Sequence, residues 1–366
     1  MKFAVVLGTR PEIIKLSPVI RHLEKNKLDY FIVHTGQHYD FNMDRIFFKE
    51  LGLPEPKYNA SCGPGTHAEQ TGRIMTGIES VLSKERPDLT IILGDTNSTM
   101  AGAIVSSKMR IPVLHLEAGC RSFDRNMPEE LNRVIADHLA EFLVPIDEAS
   151  RQNLVKEGIS EGKIFPMCNT AVDACQDSLE FAKKSNVKER FGIKGEYGLL
   201  TVHRQENTDD AERLGRILSN VAGLGLPIVF PMHPRTKKII KSAGLESLLK
   251  KFKMIEPLGY LDFLNLLSDC KAVFTDSGGV QMEANILKKP CLLLRDTTEL
   301  LAEAETGSTF IVSDRKDLLE KAYAGIGKRK ITYDFGGHRG ESGKIIGRCL
   351  ELFEAGKIRI EKRALV

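Results

Sequence analysis

Short apolar runs in this chain repeatedly end in clusters of charge, imidazole, amide and glycine. Phe3-Ala4-Val5-Val6-Leu7 leads into Gly8-Thr9-Arg10-Pro11-Glu12, and Leu89-Thr90-Ile91-Ile92-Leu93 into Gly94-Asp95-Thr96-Asn97. Pro112-Val113-Leu114 leads into His115-Leu116-Glu117-Ala118-Gly119, and Leu199-Leu200-Thr201-Val202 into His203-Arg204-Gln205-Glu206-Asn207. Three carboxylates, Asp95, Glu117 and Glu129, fall at such ends or in the loops just beyond. Brought to one cleft they would repel one another, so at least one should titrate above the ordinary carboxylate range. Such groups suit removal and return of a proton, or stabilisation of a developing cation. Each also has an ordinary reading: Asp95 as a helix N-cap, Glu129 as a first-turn acid complementing the helix dipole.

The cations and glycines suggest an anion site. Arg10 and Lys15 lie at the start of a helical pattern, where free N–H groups and the dipole favour negative charge. Ser277-Gly278-Gly279 follows the run Ala272-Val273-Phe274 and precedes another helical stretch, so a diphosphate could approach its backbone closely. A tight turn is the plainer explanation of that glycine pair. His203 and Arg204 add donors. The first loop is not G-x-G-x-x-G, so a dinucleotide fingerprint is missing and nicotinamide use is unsupported.

Positioning these residues requires strands whose carboxyl ends line a crevice, as in open parallel sheets. Strand-like runs near 3–7, 29–34, 88–93, 111–116 and 141–145 alternate with helical periods, and Ile13 to Ile20 is read as helix despite Pro18. The plan repeats near 197–202, 227–232, 252–255, 271–275, 290–294 and 308–312. The expected fold is α/β, with two Rossmann-like domains whose parallel sheets face a central cleft. The boundary is expected near 165–175, giving an N-terminal domain of 1–167 and a nucleotide-binding domain of 168–348. The end is helical from Gly343 to about Phe353, and the segment 349–366 is expected to rejoin the first domain. The Gly- and Pro-rich stretch 55–70 reads as a long loop.

Bulk properties exclude several classes. A chain of 366 residues with 42% hydrophobic and 28% charged residues is that of a globular protein of two ordinary domains. A net charge of +3 argues against nucleic acid or a membrane surface as partner. No apolar stretch approaches the ~20 residues that span a bilayer. The seven cysteines are odd in number, lack C-x-x-C spacing and lie largely in apolar runs, which points to a reducing cytoplasm. Histidines and cysteines are too scattered for a metal site, so none is expected.

Taken together, nine segments resemble the non-hydrolysing UDP-N-acetylglucosamine 2-epimerases over nearly the whole chain. They are GTRPE (8–12), TGQH (35–38), GDTNS (94–98), HLEAGCRS (115–122), PEELNR (128–133), NTAVDA (169–174), TVHRQEN (201–207), DSGGVQMEA (276–284) and RDTTE (295–299). The resemblance implies a GT-B-like fold, a homodimer, and interconversion of UDP-N-acetylglucosamine and UDP-N-acetylmannosamine without metal or nicotinamide. It implies anti-elimination of UDP to 2-acetamidoglucal, followed by re-addition with the proton on the other face. Asp95, Glu117 and Glu129 are then acid/base candidates, assisted by Arg133 and His203. Arg10, Lys15, His203, Arg204 and Ser277-Gly278-Gly279 would hold the diphosphate, and Glu283 the ribose. Gln37 and His38, with Arg73, would correspond to a second, activating substrate site. Surface polysaccharide or protein glycosylation is the usual destination of the product.

The sequence departs from the family pattern at Cys168, where glycine is usual, and at Met282, where a second acid is usual. It departs again at Thr298-Glu299-Leu300-Leu301, where a basic or aromatic residue precedes proline. Those departures leave open an epimerase of another UDP-2-acetamido sugar, or a hydrolysing form. A GT-B glycosyltransferase and a non-catalytic nucleotide-sugar sensor are the more distant alternatives.

Overall fold

In a computed structural model of the chain, the residues described are 1–37, 41–63, 65–232, 234–298, 300, 304, 308–328 and 341–356. Of residues 41–44, 234 and 235 only the backbone is described. Two compact units are formed, Met1–Ala174 with His338–Val366, and Cys175–Gly337.

The first unit is built on a parallel sheet of six strands: β1 (Lys2–Leu7), β2 (Asp29–His34), β3 (Tyr58–Asn59), β4 (Leu89–Leu93), β5 (Val113–Ala118) and β6 (Phe142–Pro145). Their order is β3-β2-β1-β4-β5-β6, so the winding direction reverses between β1 and β4. The second unit repeats the arrangement with β7 (Gly198–Thr201), β8 (Ile228–Pro231), β9 (Phe252–Ile255), β10 (Ala272–Thr275), β11 (Cys291–Leu293) and β12 (Thr309–Ile311). Here the order is β12-β11-β10-β7-β8-β9, and the reversal falls between β10 and β7. Every pairing is parallel, with Ala4 opposite Phe31 and Thr90, and Phe274 opposite Leu200 and Leu292. These are the two Rossmann-like domains that the alternating pattern predicts.

The strands are continuous runs of Val, Ile, Leu and Phe because helices cover both faces of each sheet. Phe3, Val5, Ile91, Leu114, Leu199 and Phe274 are wholly buried, each side chain contributing about 1.5–3 kcal/mol. Two-residue β3, inside the stretch read as a loop, is too short to leave a period in sequence. Helix Arg10–Lys25 does run through Pro18, which is buried. In the first unit, helix Glu341–Glu354 packs on Arg10–Lys25, where Gly343 comes so close to His22 that an added Cβ would lie 2.6 Å from its ring. Asp173 secures it, accepting from the Ser342 N–H at 3.0 Å and hydroxyl at 2.6 Å. No described helix is long and apolar enough to cross a membrane.

Candidate active site

Loops after β1 and β4 flank the reversal point of the first sheet, where ligands of such sheets bind. Gly8 admits no side chain: a Cβ there would lie 2.0 Å from Thr35 Oγ1 and 2.3 Å from Ser98 Oγ. Glu12 folds back beneath the loop, accepting from Gly8 N at 2.9 Å, Thr96 Oγ1 at 2.7 Å and Thr99 Oγ1 at 3.2 Å. Its burial raises its pKa against the pull of those donors, which makes Glu12, outside the predicted trio, a carboxyl that titrates high. Arg10 is half-buried, with its guanidinium over the Phe47 ring at 5.4 Å.

Asp95 is not the N-cap of the helix that follows. Thr96 caps helix Asn97–Lys108 through a box with Thr99, leaving the Asp95 side chain for another purpose. Its Oδ2 takes a charge-assisted bond from Arg133 Nη2 at 2.5 Å, and its carbonyl accepts from Asn132 Nδ2 at 2.9 Å. Glu117, on the neighbouring strand β5, has left-handed backbone (φ +65°) where the pairing with β6 shifts register. That conformation costs a residue with a Cβ of order 1–2 kcal/mol. Lys15 Nζ lies 2.7 Å from Glu117 Oε1 and 2.9 Å from Oε2. Burial opposes the lysine charge, yet Glu117 and then Asp95 outweigh it and raise the Lys15 pKa.

Helix Pro128–Leu139 carries the third carboxylate and is inside out. Glu130, Asn132, Arg133 and Asp137 are buried, whereas Leu131, Ile135 and Leu139 are 41%, 36% and 39% exposed. Glu129 is exposed in its first turn, so its reading as a dipole-complementing acid still applies. Glu130 is the anchor: it accepts from Ser122 N at 2.9 Å, Phe123 N at 3.1 Å and Arg133 Nη1 at 2.9 Å.

Of the residues tied to a second site, Gln37 accepts at Oε1 from Ser98 N at 2.9 Å and Ser98 Oγ at 2.7 Å. These two bonds give Gln37 a structural task at the start of helix Asn97–Lys108. Arg73 donates from Nε to the Cys62 carbonyl at 2.7 Å, and Gln70, one turn before it, donates to the Gln37 carbonyl at 3.1 Å. His38 lies outside the described residues.

The second unit carries its own set at its own reversal point. Asp276, at the end of β10 and wholly buried, accepts from His203 N at 3.0 Å, Arg204 N at 2.9 Å and Asn207 Nδ2 at 3.1 Å. It thereby folds the His203–Asn207 loop over the end of β7. The His203 ring is 45% exposed, with Nδ1 3.3 Å from Asp276 Oδ1. Ser277 caps helix Gly278–Ile286, accepting from Val280 N at 3.4 Å. Gly279 has neither positive φ nor a crowded Cβ position, its nearest neighbour being Ser277 Oγ at 3.8 Å. The tight-turn explanation therefore does not account for glycine there. Glu283 is half-buried on the same helix.

At the departures, Met282 is 5% exposed and belongs to the interior. Leu300 is half-buried; its N–H donates to Thr298 Oγ1 at 3.1 Å, and Thr298 Oγ1 in turn donates to Gln281 Oε1 on helix Gly278–Ile286 at 2.8 Å. Glu299 and Leu301 lie outside the described residues. Cys168 is buried, and that burial pushes its thiol up to about 12.

The sequence reading passed over Glu12, Glu130, Asp137 and Asp276. Glu12, Glu130 and Asp276 stood inside quoted motifs, but the buried groups they bind are set by the assembled fold and not by the motif. Glu130, Arg133 and Asp137 recur at helical spacing, which marks one face of the helix without saying that it turns inward.

The chain matches the model of the UDP-N-acetylglucosamine 2-epimerase family over residues 21–339. It is 50% identical to the UDP-N-acetylglucosamine 2-epimerase of Methanocaldococcus jannaschii, over 96% of this chain and 99% of the relative. The crystal structure of a Methanocaldococcus jannaschii UDP-GlcNAc 2-epimerase in complex with UDP-GlcNAc and UDP superposes with a TM-score of 0.87 at 50% identity, covering 96% of this chain and 99% of that one. A UDP-2,3-diacetamido-2,3-dideoxy-D-glucuronate 2-epimerase of Pseudomonas aeruginosa is 40% identical over 90% of this chain and 93% of its own. By these matches the chain belongs to the UDP-N-acetylglucosamine 2-epimerase family and is an isomerase.

Proposed function

We propose that this enzyme interconverts UDP-N-acetylglucosamine and UDP-N-acetylmannosamine. The observation that carries the reading is the pair of carboxylates at the ends of adjacent strands β4 and β5, each set against its own cation, Arg133 with Asp95 and Lys15 with Glu117. No carbonyl acidifies the proton on C2, so direct deprotonation is too slow. One carboxylate takes that proton as the C1–O bond breaks, and the electron pair leaves with the diphosphate of UDP. The product is 2-acetamidoglucal, with a C1=C2 double bond. A second acid delivers a proton to the opposite face of C2 while the diphosphate oxygen re-forms its bond to C1.

Asp95, Glu117 and Glu129 supply the acid and base. Charge growing on the leaving diphosphate is met by Arg10, Lys15, His203, Arg204 and the Ser277-Gly278-Gly279 helix start. Glu283 takes the ribose hydroxyls. Retaining UDP beside the glycal makes its return effectively intramolecular. Gln37, His38 and Arg73 are the residues for an activating second substrate. The reading needs no metal and no nicotinamide. All seven cysteines are free thiols, which suits a cytoplasmic enzyme.

The working form is a homodimer. Leu131, Ile135 and Leu139 form an exposed apolar stripe on a helix whose charges point inward, and a second copy of the same stripe would cover it across a two-fold axis.

Proton NMR of the enzyme with UDP-N-acetylglucosamine in heavy water tests the reaction. A new UDP-N-acetylmannosamine anomeric signal, with deuterium at C2 of both sugars, is expected. Free N-acetylmannosamine plus UDP would mean a hydrolysing enzyme. The 40% identical glucuronate epimerase makes UDP-2,3-diacetamido-2,3-dideoxy-glucuronate the second substrate to offer, and turnover of it alone would move the assignment there.

A further inference from the structure

We infer that His115 is a positioning residue for this reaction, clasped so that it sets the backbone turns presenting Asp95 and Glu117. His115 is on β5 with no exposed surface. Its Nδ1 lies 2.7 Å from Asp137 Oδ1 and its Nε2 2.9 Å from the Gly94 carbonyl. A backbone carbonyl can only accept, and Asp137, held below the ordinary carboxylate range by His115 and Arg121 despite its burial, accepts as well. Both ring nitrogens therefore face acceptors and act as donors.

The clasp brackets both carboxylates. Gly94 O belongs to the peptide that leads directly into Asp95. On the other side Asp137 Oδ2 accepts from Gly119 N at 3.1 Å, two residues beyond Glu117, while His115 is two residues before it. Asp137 thus grips the chain on both flanks of the one left-handed residue of β5. Gly94 N in turn donates to Leu116 O at 3.0 Å, so the two turns are tied to each other.

Arg121 lies 2.7 Å from Asp137 and 2.6 Å from Glu157, so the buried Asp137 carboxylate has a permanent cation beside it. The charged groups of the adjoining loops and helices are Asp95, Glu117, Lys15 and Glu12, with Arg133 and Glu130 on the helix of Asp137. His115, Asp137 and the Arg121 side chain are all buried, so none of the three is available to touch a substrate. Their effect must pass through the geometry of Asp95 and Glu117, and a misplacement of about 1 Å can cost on the order of 100-fold in rate.

The inference rests on the epimerase reading, and its test separates the two. In ¹⁵N-labelled wild-type enzyme at neutral pH, His115 is expected to show two N–H groups. A bare ring nitrogen would overturn the clasp whatever the enzyme turns over. His115→Gln, and Asp137→Asn if the first variant fails to fold, are then assayed against wild type by C2 deuterium exchange. The expected result is a kcat lowered at least tenfold, with KM and UDP affinity within threefold of wild type. A kcat within twofold overturns the inference, and so does an equal loss of kcat and UDP binding, which marks a merely structural role. Wild type that turns over no UDP-2-acetamido sugar refutes the epimerase reading, and the positioning role with it, whereas two N–H groups on His115 would still stand as the state of the buried cluster.

Discussion

Arg133 Nη2 and Asp95 Oδ2 meet at 2.5 Å, joining the inward face of helix Pro128–Leu139 to the loop after β4. Arg133 also holds Glu130 through Nη1, so its planar head is fixed from two sides and in turn fixes the aspartate. With Thr96 doing the capping, the start of helix Asn97–Lys108 does not require a carboxylate at 95.

Asp95→Asn should therefore fold and bind UDP within threefold of wild type, while epimerisation falls by about 10²–10⁴-fold, the range for a lost general acid or base. C2 deuterium exchange and calorimetric UDP titration check the two halves separately. Loss of both together would make Asp95 a structural residue and sink its acid/base assignment.

Gly279→Ala gives a different separation. Its Cβ would sit in ordinary contact, 3.8 Å from Ser277 Oγ, at a helical position where alanine is favoured by up to about 1 kcal/mol. Thermal stability should be unchanged or higher, and UDP affinity should drop at least tenfold because the methyl group stands where the diphosphate approaches. Unaltered affinity would remove Gly279 from the nucleotide site.

How much of this was readable in sequence differs between sheet and helix. Strand positions followed from runs such as Phe3–Leu7 and Ala272–Thr275, since a strand buried on both faces has no choice but to be continuously apolar. The loops after them were marked by residues that packing cannot use, as at Gly8, Asp95 and His203. Helix Pro128–Leu139 was not readable in the same way. Its period shows two faces, but periodicity does not say which one turns inward. Glu130, Arg133 and Asp137 are inside only because Asp95, Ser122, His115 and Arg121 are there to meet them. Such partners are distant in sequence and appear only once the sheet is assembled.

Glu130 makes a pH prediction. Burial alone would raise its pKa, but the Ser122 and Phe123 amides, the Ser122 hydroxyl and Arg133 together leave it lowered. A carboxylate depressed in the folded state contributes stability that is full above its unfolded value, about 4.3, and is lost as pH falls through the lower folded value. Glu130→Gln should thus cost about 1–3 kcal/mol near pH 7, and the gap to wild type should close below about pH 4. Urea unfolding at both pH values measures it. A gap that stays constant would show that shape, not charge, is what Glu130 contributes.

The outward face of the same helix carries the last prediction. Inward charges leave Leu131, Ile135 and Leu139 in water, an arrangement that isolated folding would not favour and that burial against a second chain would stabilise. Two copies related by a two-fold axis present the stripe to itself, so one charge per chain places two like charges at the contact. Ile135→Asp should convert a dimeric enzyme to a species with the mass of one chain in light scattering, with the two sheets still folded by circular dichroism. The inward residues Glu130, Arg133 and Asp137 do not change, so UDP binding should persist in the monomer. A wild-type protein that is monomeric at micromolar concentration, or a variant that stays dimeric, would take the interface away from this helix.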